Sequence, residues 1–158
     1  MEIILRGYRA EDLEALCLLD EACFSPEFRF DRESMRRFVG YRRSVVVLAE
    51  YDHQLIGFVI VHLEGSGKAL GAYVVTLDVA ERSRRLGLAG RLMEEATMQA
   101  RSAGALWMGL HVSAENQGAV AFYERAGYLR GERIRGFYGL DEAGAEMDAW
   151  VYRRWIGV

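Results

Sequence analysis

The spacing of apolar residues separates segments with helical periodicity from segments typical of strands. Apolar positions about 3.6 residues apart predict helices, and the predicted helices lie at 10–22, 31–43, 88–103 and 117–126. Runs rich in β-branched and aromatic residues predict strands at 3–8, 44–51, 55–63, 69–79, 106–112, 128–138 and 148–155. The predicted order is β-α-α-β-β-β-α-β-α-β-β, which indicates a mixed α/β sheet in one domain over residues 1–158.

The turn between the predicted strand 69–79 and the helix 88–103 is a candidate anion site. The strand is mostly apolar, which is typical of a central strand, and the helix has the clearest apolar stripe in the chain. First-turn amides of a helix lack intrahelical partners, and the helix dipole favours anions there. Gly87 and Ala89 carry little side-chain bulk, and three basic side chains, Arg82, Arg84 and Arg85, add positive charge. Alternatively, the arginines cap a surface loop and Gly87 only starts the helix.

Composition narrows the classes of function. The net charge of −3 argues against nucleic-acid binding through bulk positive charge. We find neither a signal peptide nor an apolar stretch of the roughly 20 residues that a membrane span needs, so we expect a cytoplasmic protein without a membrane partner. Cys17 and Cys23 do not form a metal or disulfide pattern, and the three histidines are dispersed. We therefore expect free core thiols and no metal.

The turn resembles a known family signature. Arg84 to Ala89 (RRLGLA) is similar to the R-x-x-G-x-G/A motif of the GNAT superfamily of acyl-CoA-dependent N-acetyltransferases, although Glu81 replaces the usual proline. The resemblance implies the GNAT fold, an α/β (α+β) architecture with a mostly antiparallel sheet splayed at the CoA site and flanked by about four helices. It implies that acetyl-CoA is the co-substrate and is held at Leu77, Val79, Arg84, Arg85, Leu86, Gly87, Leu88 and Ala89.

A second segment, residues 110–128, resembles the family's strand-N-x-x-A-x-x-x-Y-x-x-x-G-F/Y pattern. The resemblance implies that Asn116 hydrogen-bonds the pantetheine arm and that Tyr123 places a phenol near the CoA sulfur. A phenol with a pKa near 10 can give the leaving thiolate a proton or a hydrogen bond. Alternatively, Tyr123 packs on the sheet and Asn116 caps the following helix. Both roles of Asn116 can hold together.

His111 and Tyr73 are candidates for the base that deprotonates the amine. Strand alternation places His111 opposite Leu110 and Val112, and its ordinary pKa near 6.5 suits a base at neutral pH. The run from Tyr73 to Leu77 resembles the NatE-type protein N-terminal acetyltransferases, in which a Tyr and a His relay the proton through water. RimI-like enzymes usually carry a Glu where His111 stands. Alternatively, both are ordinary strand residues, His111 half-buried and Tyr73 selected by packing.

Two aromatic segments are candidates for the acceptor groove. Phe24, Pro26 and Glu27 belong to a loop that resembles the F-P-x-x-(Y/F) loop of N-terminal acetyltransferases. Phe137 and Tyr138 resemble the hairpin residues that face that loop. Alternatively, the first loop only covers the core.

The residues and the resemblance together favour transfer of acetyl from acetyl-CoA to a primary amine, most of all a protein N-terminal α-amine. We expect direct attack without an acyl-enzyme, because neither cysteine lies near the motif. We also expect a monomer or homodimer. One alternative is a small-molecule N-acetyltransferase that acts on a polyamine, an amino acid or an aminoglycoside. Clustered acids in the groove would favour a polycation, and an open slot between two loops a peptide. The other alternative is a non-catalytic acyl-CoA-binding sensor.

Overall fold

The computed structural model describes residues 2–157, which form one seven-stranded sheet with four α-helices against it. Short 3-10 turns lie at 10–12, 26–28, 67–69 and 81–83. The α-helices and strands, in chain order, are β1 (Ile4–Gly7), α1 (Leu13–Cys23), α2 (Arg32–Gly40), β2 (Ser44–Tyr51), β3 (Gln54–Glu64), β4 (Gly71–Val79), α3 (Leu88–Ser102), β5 (Trp107–Ser113), α4 (Gln117–Arg125), β6 (Leu129–Ile134) and β7 (Ala149–Trp155).

The predicted order of elements is confirmed, and several predicted boundaries are wrong. The first helix begins at Leu13 because residues 10–12 form a 3-10 turn, and the second ends at Gly40. The predicted strand 128–138 is shorter, since β6 ends at Ile134 and the chain turns at Gly136, which has a φ of 63°. Phe137 therefore belongs to the connection between β6 and β7.

The order of strands in the sheet is β1-β2-β3-β4-β5-β7-β6, so β4 is central, as its apolar sequence predicts. Within residues 2–157, β4 and β5 form the one parallel pair, and every other neighbouring pair is antiparallel. The parallel strands pair over three positions, in the register Gly71↔Trp107, Ala72↔Met108 and Tyr73↔Gly109. Beyond this point β4 and β5 separate, and the predicted splay of the sheet is confirmed.

A β-bulge in β4 lies directly after the paired positions. Ile60 of β3 pairs with Thr76 and the next residue, Val61, pairs with Val74, which leaves Val75 as an extra residue. Side chains alternate along a regular strand, so Val74 and Asp78 would otherwise share one face. Val74 instead packs in the core on the α3 side, whereas Asp78 contacts α1. The bulge thus changes which face the last residues of β4 present.

The N-terminus of α3 packs closely on β3 because Gly57 has no side chain. A Cβ at Gly57 would lie 3.1 Å from Leu92 Cδ1, 3.2 Å from Leu88 Cδ2 and 3.0 Å from the Asp78 carbonyl oxygen. Leu88 and Leu92 are fully buried in the core on this side of the sheet. This contact holds the helix N-terminus beside the end of β4. In the described part of the chain, no helix is both long and apolar enough to span a membrane.

Two glycine-to-alanine substitutions are expected to change stability in opposite directions. Gly57→Ala should lower the free energy of unfolding by about 1–3 kcal/mol, because it overpacks a filled contact. Gly90→Ala in α3 should raise it by about 0.5–1 kcal/mol, since alanine is the better helix former and no atom lies within 4 Å of the new Cβ. Urea unfolding measures both. A Gly57→Ala variant as stable as the parent would contradict the close approach.

Candidate active site

A cleft of about 590 Å³ opens where β4 and β5 separate. Its walls come from β4, β5, α4, the loop after α1 and the connection between β6 and β7. Seven residues singled out in the sequence line it, namely Phe24, Glu27, Leu77, His111, Asn116, Tyr123 and Tyr138. The separation of the two strands therefore brings the second motif and both aromatic segments to one place. Of the donor residues expected from the sequence, Leu77 lines the cleft, whereas Val79 and residues 84–89 lie outside its wall.

The turn before α3 has the geometry of an anion site. Arg85 and Gly87 have φ values of 69° and 75°, in the left-handed region, and Gly87 is the N-cap of α3. Left-handed residues in a turn direct successive amides into one concave surface, and the helix dipole adds positive potential. Glycine is required at 87 by its positive φ and not by crowding, since a Cβ at this position would have no atom within 4 Å.

The side chains of this turn have distinct roles. The Arg84 Nε donates to the Val79 carbonyl oxygen at 3.1 Å and thereby ties the turn to the end of β4. Val79 is buried and Leu86 is 57% exposed. At Glu81, where the family usually has proline, a 3-10 turn closes through the Ser83 amide, which donates to the Ala80 carbonyl at 2.8 Å. This hydrogen bond closes the turn without a proline at 81.

Asn116 is the N-cap of α4. Its side-chain oxygen accepts a hydrogen bond of 3.0 Å from the Ala119 amide, so the capping role is confirmed. The oxygen is occupied by the cap, and the amide nitrogen can still donate to a ligand in the cleft that Asn116 lines.

Tyr123 is a buried phenol at the cleft wall, with 7% of its surface exposed. Its ring makes edge-to-face contacts with Phe122 at 5.0 Å and with Tyr128 at 5.5 Å between ring centroids. Burial raises the pKa of Tyr123 well above its ordinary value. The hydroxyl therefore keeps its proton at neutral pH and can donate a hydrogen bond to an anion.

Tyr73 and His111 are in direct contact, whereas the resemblance implied a pair that acts through water. The Tyr73 hydroxyl lies 2.8 Å from His111 Nδ1, and the imidazole stacks on Phe137 with ring centroids 4.1 Å apart. Burial lowers the pKa of His111, and Arg153 lowers it further, so the imidazole is neutral at pH 7. Burial raises the pKa of Tyr73. When Nδ1 carries the imidazole hydrogen and donates it to Tyr73, Nε2 is free to accept a proton.

His111 also lines a second depression of about 390 Å³, which adjoins the cleft. Tyr73 lies in this depression and not in the wall of the main cleft. Tyr73 can therefore orient the imidazole without contacting a ligand in the cleft.

The two aromatic segments meet across the cleft, where Phe28 packs edge-on against Tyr138 with centroids 4.9 Å apart. Phe24 and Glu27 line the cleft, whereas Pro26 starts the 3-10 turn and is not part of the wall. Phe28, which belongs to the same predicted loop, also lines the cleft. Several further wall residues were not predicted from the sequence, namely Phe30, Asp141, Glu146 and Met147. Phe30 carries an aromatic signal, and the last three lie in a connection without periodicity.

The cleft is acidic. Within residues 2–157, its formally charged lining residues are all carboxylates, namely Glu27, Glu115, Asp141 and Glu146. A hydrogen bond from Ser25 is the main cause that lowers the pKa of Glu27. An arrangement of this kind attracts a cationic ligand such as a protonated amine.

The anion-binding turn, the splayed sheet and the neutral Tyr and His side chains define a site suited to acyl transfer from a phosphate-bearing donor. Residues 13–128 match the model of the Acetyltransferase (GNAT) family. The chain belongs to this family, and the predicted GNAT fold is confirmed.

The names of two similar proteins are consistent with membership of this family. The catalytic subunit naa20 of the N-terminal acetyltransferase B complex of Schizosaccharomyces pombe is 36% identical over 100 residues, which are 61% of this chain and 56% of that protein. The chain thus spans little more than half of that relative. Arabidopsis thaliana NAA60 in complex with acetyl-CoA has a TM-score of 0.83 at 26% identity and covers 98% of this chain and 99% of its own.

The likeness of fold extends to bacterial proteins. The ribosomal-protein-S18-alanine N-acetyltransferase of Escherichia coli has a TM-score of 0.86 at 19% identity, with 99% of this chain and 96% of that chain covered.

Removal of the Phe137 ring is expected to raise the pKa of His111. Burial is the main cause of the lowered pKa, so Phe137→Ala should return it toward the ordinary value of about 6.5. NMR titration of the imidazole protons measures the change. Tyr41→Ala is the matched control, because Tyr41 is a similarly exposed aromatic that contacts His62. Equal His111 titration in parent and Phe137→Ala would contradict the assigned cause.

Proposed function

We propose that the chain transfers the acetyl group of acetyl-CoA to the α-amine of a protein N-terminus. The observation that carries the proposal is the single cleft at the β4–β5 separation. It has the donor-binding turn beside it, Tyr123 and His111 in its wall, and residues of both aromatic segments in its lining. The names of the S. pombe relative and of NAA60 in complex with acetyl-CoA support this proposal.

The residues present fit acetyl-CoA. The amides around Arg85 and Gly87 and the N-terminus of α3 suit a pyrophosphate, for which Arg84 and Arg85 supply charge. The edges of β4 and β5 are unpaired beyond Tyr73, so their backbone groups near Leu77 are available to the amides of a pantetheine arm.

In the proposed reaction, His111 accepts the proton of the attacking amine, directly or through water, and Tyr73 holds the imidazole ring in place through its contact with Nδ1. Tyr123 donates to the sulfur as the thioester bond breaks. Because it is a neutral phenol, it stabilises the developing thiolate without first losing a proton.

Direct transfer from donor to amine also agrees with the state of the thiols. Burial raises the pKa of both Cys17 and Cys23, so neither is a ready nucleophile at neutral pH. The expectation that neither cysteine lies near the motif is wrong, since the fold packs Cys23 against the end of β4, where its thiol donates to the Val79 carbonyl at 3.4 Å. Neither cysteine lines the cleft, however.

The acceptor is inferred from the lining and charge of the cleft. The Phe28 and Tyr138 segments, which meet through these two rings, give the cleft an aromatic wall that suits a peptide, and the carboxylates of the lining attract the terminal ammonium group. The same carboxylates favour a polyamine as the second candidate acceptor, since several acids line one cleft. A peptide and a polyamine are distinguished by experiment.

Turnover of acetyl-CoA should be measured with a library of free N-terminal peptides, the same peptides with blocked N-termini, and common polyamines. We expect reaction with free N-termini and none with the blocked set. Tyr123→Phe should lower kcat by about 10²–10⁴-fold with little change in acetyl-CoA affinity, as for loss of an acid catalyst. Reaction with polyamines alone would overturn the peptide acceptor. If none of the amines tested is acetylated, the result would favour a non-catalytic sensor.

Two variants of Asn116 separate capping from ligand binding. Asn116→Ala should lower the free energy of unfolding by about 1 kcal/mol, whereas Asn116→Ser keeps a capping oxygen and nearly all of the stability. If the amide donates to the pantetheine arm, both variants should bind acetyl-CoA about three- to tenfold more weakly. Urea unfolding and calorimetric titration measure the two effects. If Asn116→Ser binds acetyl-CoA as tightly as the parent, the only role of Asn116 is to cap α4.

A further inference from the structure

Two buried carboxyl groups meet behind the cleft. Asp20 of α1 is 0% exposed and Asp78 near the end of β4 is 1% exposed, and the two carboxyl groups lie within hydrogen-bonding reach of each other. Asp20 Oδ2 accepts from the Phe30 amide at 2.9 Å, and Asp78 Oδ1 accepts from the Thr76 hydroxyl at 2.5 Å. Among residues 2–157, the other two oxygens, Asp20 Oδ1 and Asp78 Oδ2, have no donor.

One proton resolves both unsatisfied oxygens. Ionised carboxylates only accept hydrogen bonds, so two of them in contact repel each other and leave both oxygens without a donor. A single proton on the pair supplies an O–H group from one carboxyl to the other and removes one of the two buried charges. Burial and the proximity of Asp20 both raise the pKa of Asp78 well above its ordinary value.

The pair connects the acceptor side of the cleft to the donor side. Asp20 holds the backbone of Phe30, a wall residue at the end of the loop that follows α1. Asp78 holds Thr76, a wall residue on β4, and directly precedes Val79, to which the Arg84 side chain is bonded. A change in the contact between the two carboxyl groups would therefore shift the loop relative to the strand.

We propose that Asp20 and Asp78 share one proton and that this pair positions the loop at 24–30 for the acceptor. The two aspartates are positioning residues, because they act through Phe30 and Thr76. The role in acceptor binding rests on the proposed function, whereas the shared proton does not.

The titratable groups around the pair stay in one protonation state near neutral pH, so a change of proton occupancy there belongs to the two aspartates. From α1, Cys17 and Cys23 face it, and burial raises the pKa of both thiols. From α4, Tyr123 faces Asp78 and stays a neutral phenol. From the turn before α3, the Arg84 cation acts on Asp78 and offsets the one negative charge that the pair keeps.

The shared proton is tested by stability against pH. Above the ordinary aspartate pKa near 4, the folded protein holds a proton that the unfolded chain has lost, so stability falls as pH rises. The unfolding equilibrium constant should increase by up to about tenfold per pH unit until the pair itself ionises. Asp78→Asn supplies an N–H donor in place of the proton and should remove this contribution. Parallel pH profiles for parent and Asp78→Asn would overturn the shared proton.

Asp12→Asn is the matched control for this measurement. Asp12 is also buried in the first helical region, but a hydrogen bond from Arg6 lowers its pKa. Its stabilising effect is present above the ordinary aspartate pKa and is lost as pH falls through the lowered value. The difference in free energy of unfolding between Asp12→Asn and the parent should therefore change with pH in the opposite direction to the difference between Asp78→Asn and the parent.

The positioning role is tested by separating the two substrates. Asp78→Ala should raise KM for a reactive amine about tenfold, as for loss of a charge-assisted hydrogen bond, while acetyl-CoA affinity changes less than about twofold. Asp78→Asn should restore KM to near the parent value. Unchanged acceptor KM in Asp78→Ala, or an effect on acetyl-CoA affinity alone, would overturn this role.

The two tests remain separable from the proposed function. If no amine is acetylated by the parent, the proposed function and the positioning role both fail, and the stability profile still decides the shared proton. If Asp78→Ala does not fold, Asp20→Asn and Asp78→Asn are compared in the same acceptor assay at neutral and alkaline pH. At alkaline pH the parent alone should lose acceptor affinity, because only its pair ionises. Equal losses of acceptor affinity in the parent, Asp20→Asn and Asp78→Asn would overturn the proposal.

Discussion

The separation of β4 from β5 is the constraint on which the rest of the site depends. Parallel strands normally continue their hydrogen bonds along their shared length, yet these two stop after Tyr73 and Gly109. The bulge at Val75 lies at the same place and turns the end of β4. The result is a cleft inside the sheet, with backbone groups on both edges that a ligand can satisfy.

Proton positions in the cleft follow from burial more than from ion pairs. Desolvation is the first cause of the raised pKa values of Tyr73, Tyr123 and Tyr138 and of the lowered pKa of His111. These side chains are therefore neutral at pH 7. In the proposed reaction, such a site would exchange protons without forming a lasting buried charge.

The two sides of the cleft have different physical origins. The donor side is built from a turn and a helix N-terminus that pack firmly on the sheet through Leu88 and Leu92. The acceptor side is built from two connections that contact each other through Phe28 and Tyr138. Connections tolerate more change than packed elements, so under the proposed function acceptor selectivity could vary within this fold while donor binding is kept.

The sequence by itself determined the order of elements, the central position of β4, the turn before α3 and the cap at Asn116. Each of these depends on signals within a few residues, such as periodicity, a glycine or a capping side chain. The tertiary structure decided the bulge, the length of β6, the place of Phe137 and the contact between Asp20 and Asp78. These features arise from partners distant in the chain, and local spacing carries no record of which distant side chains will meet.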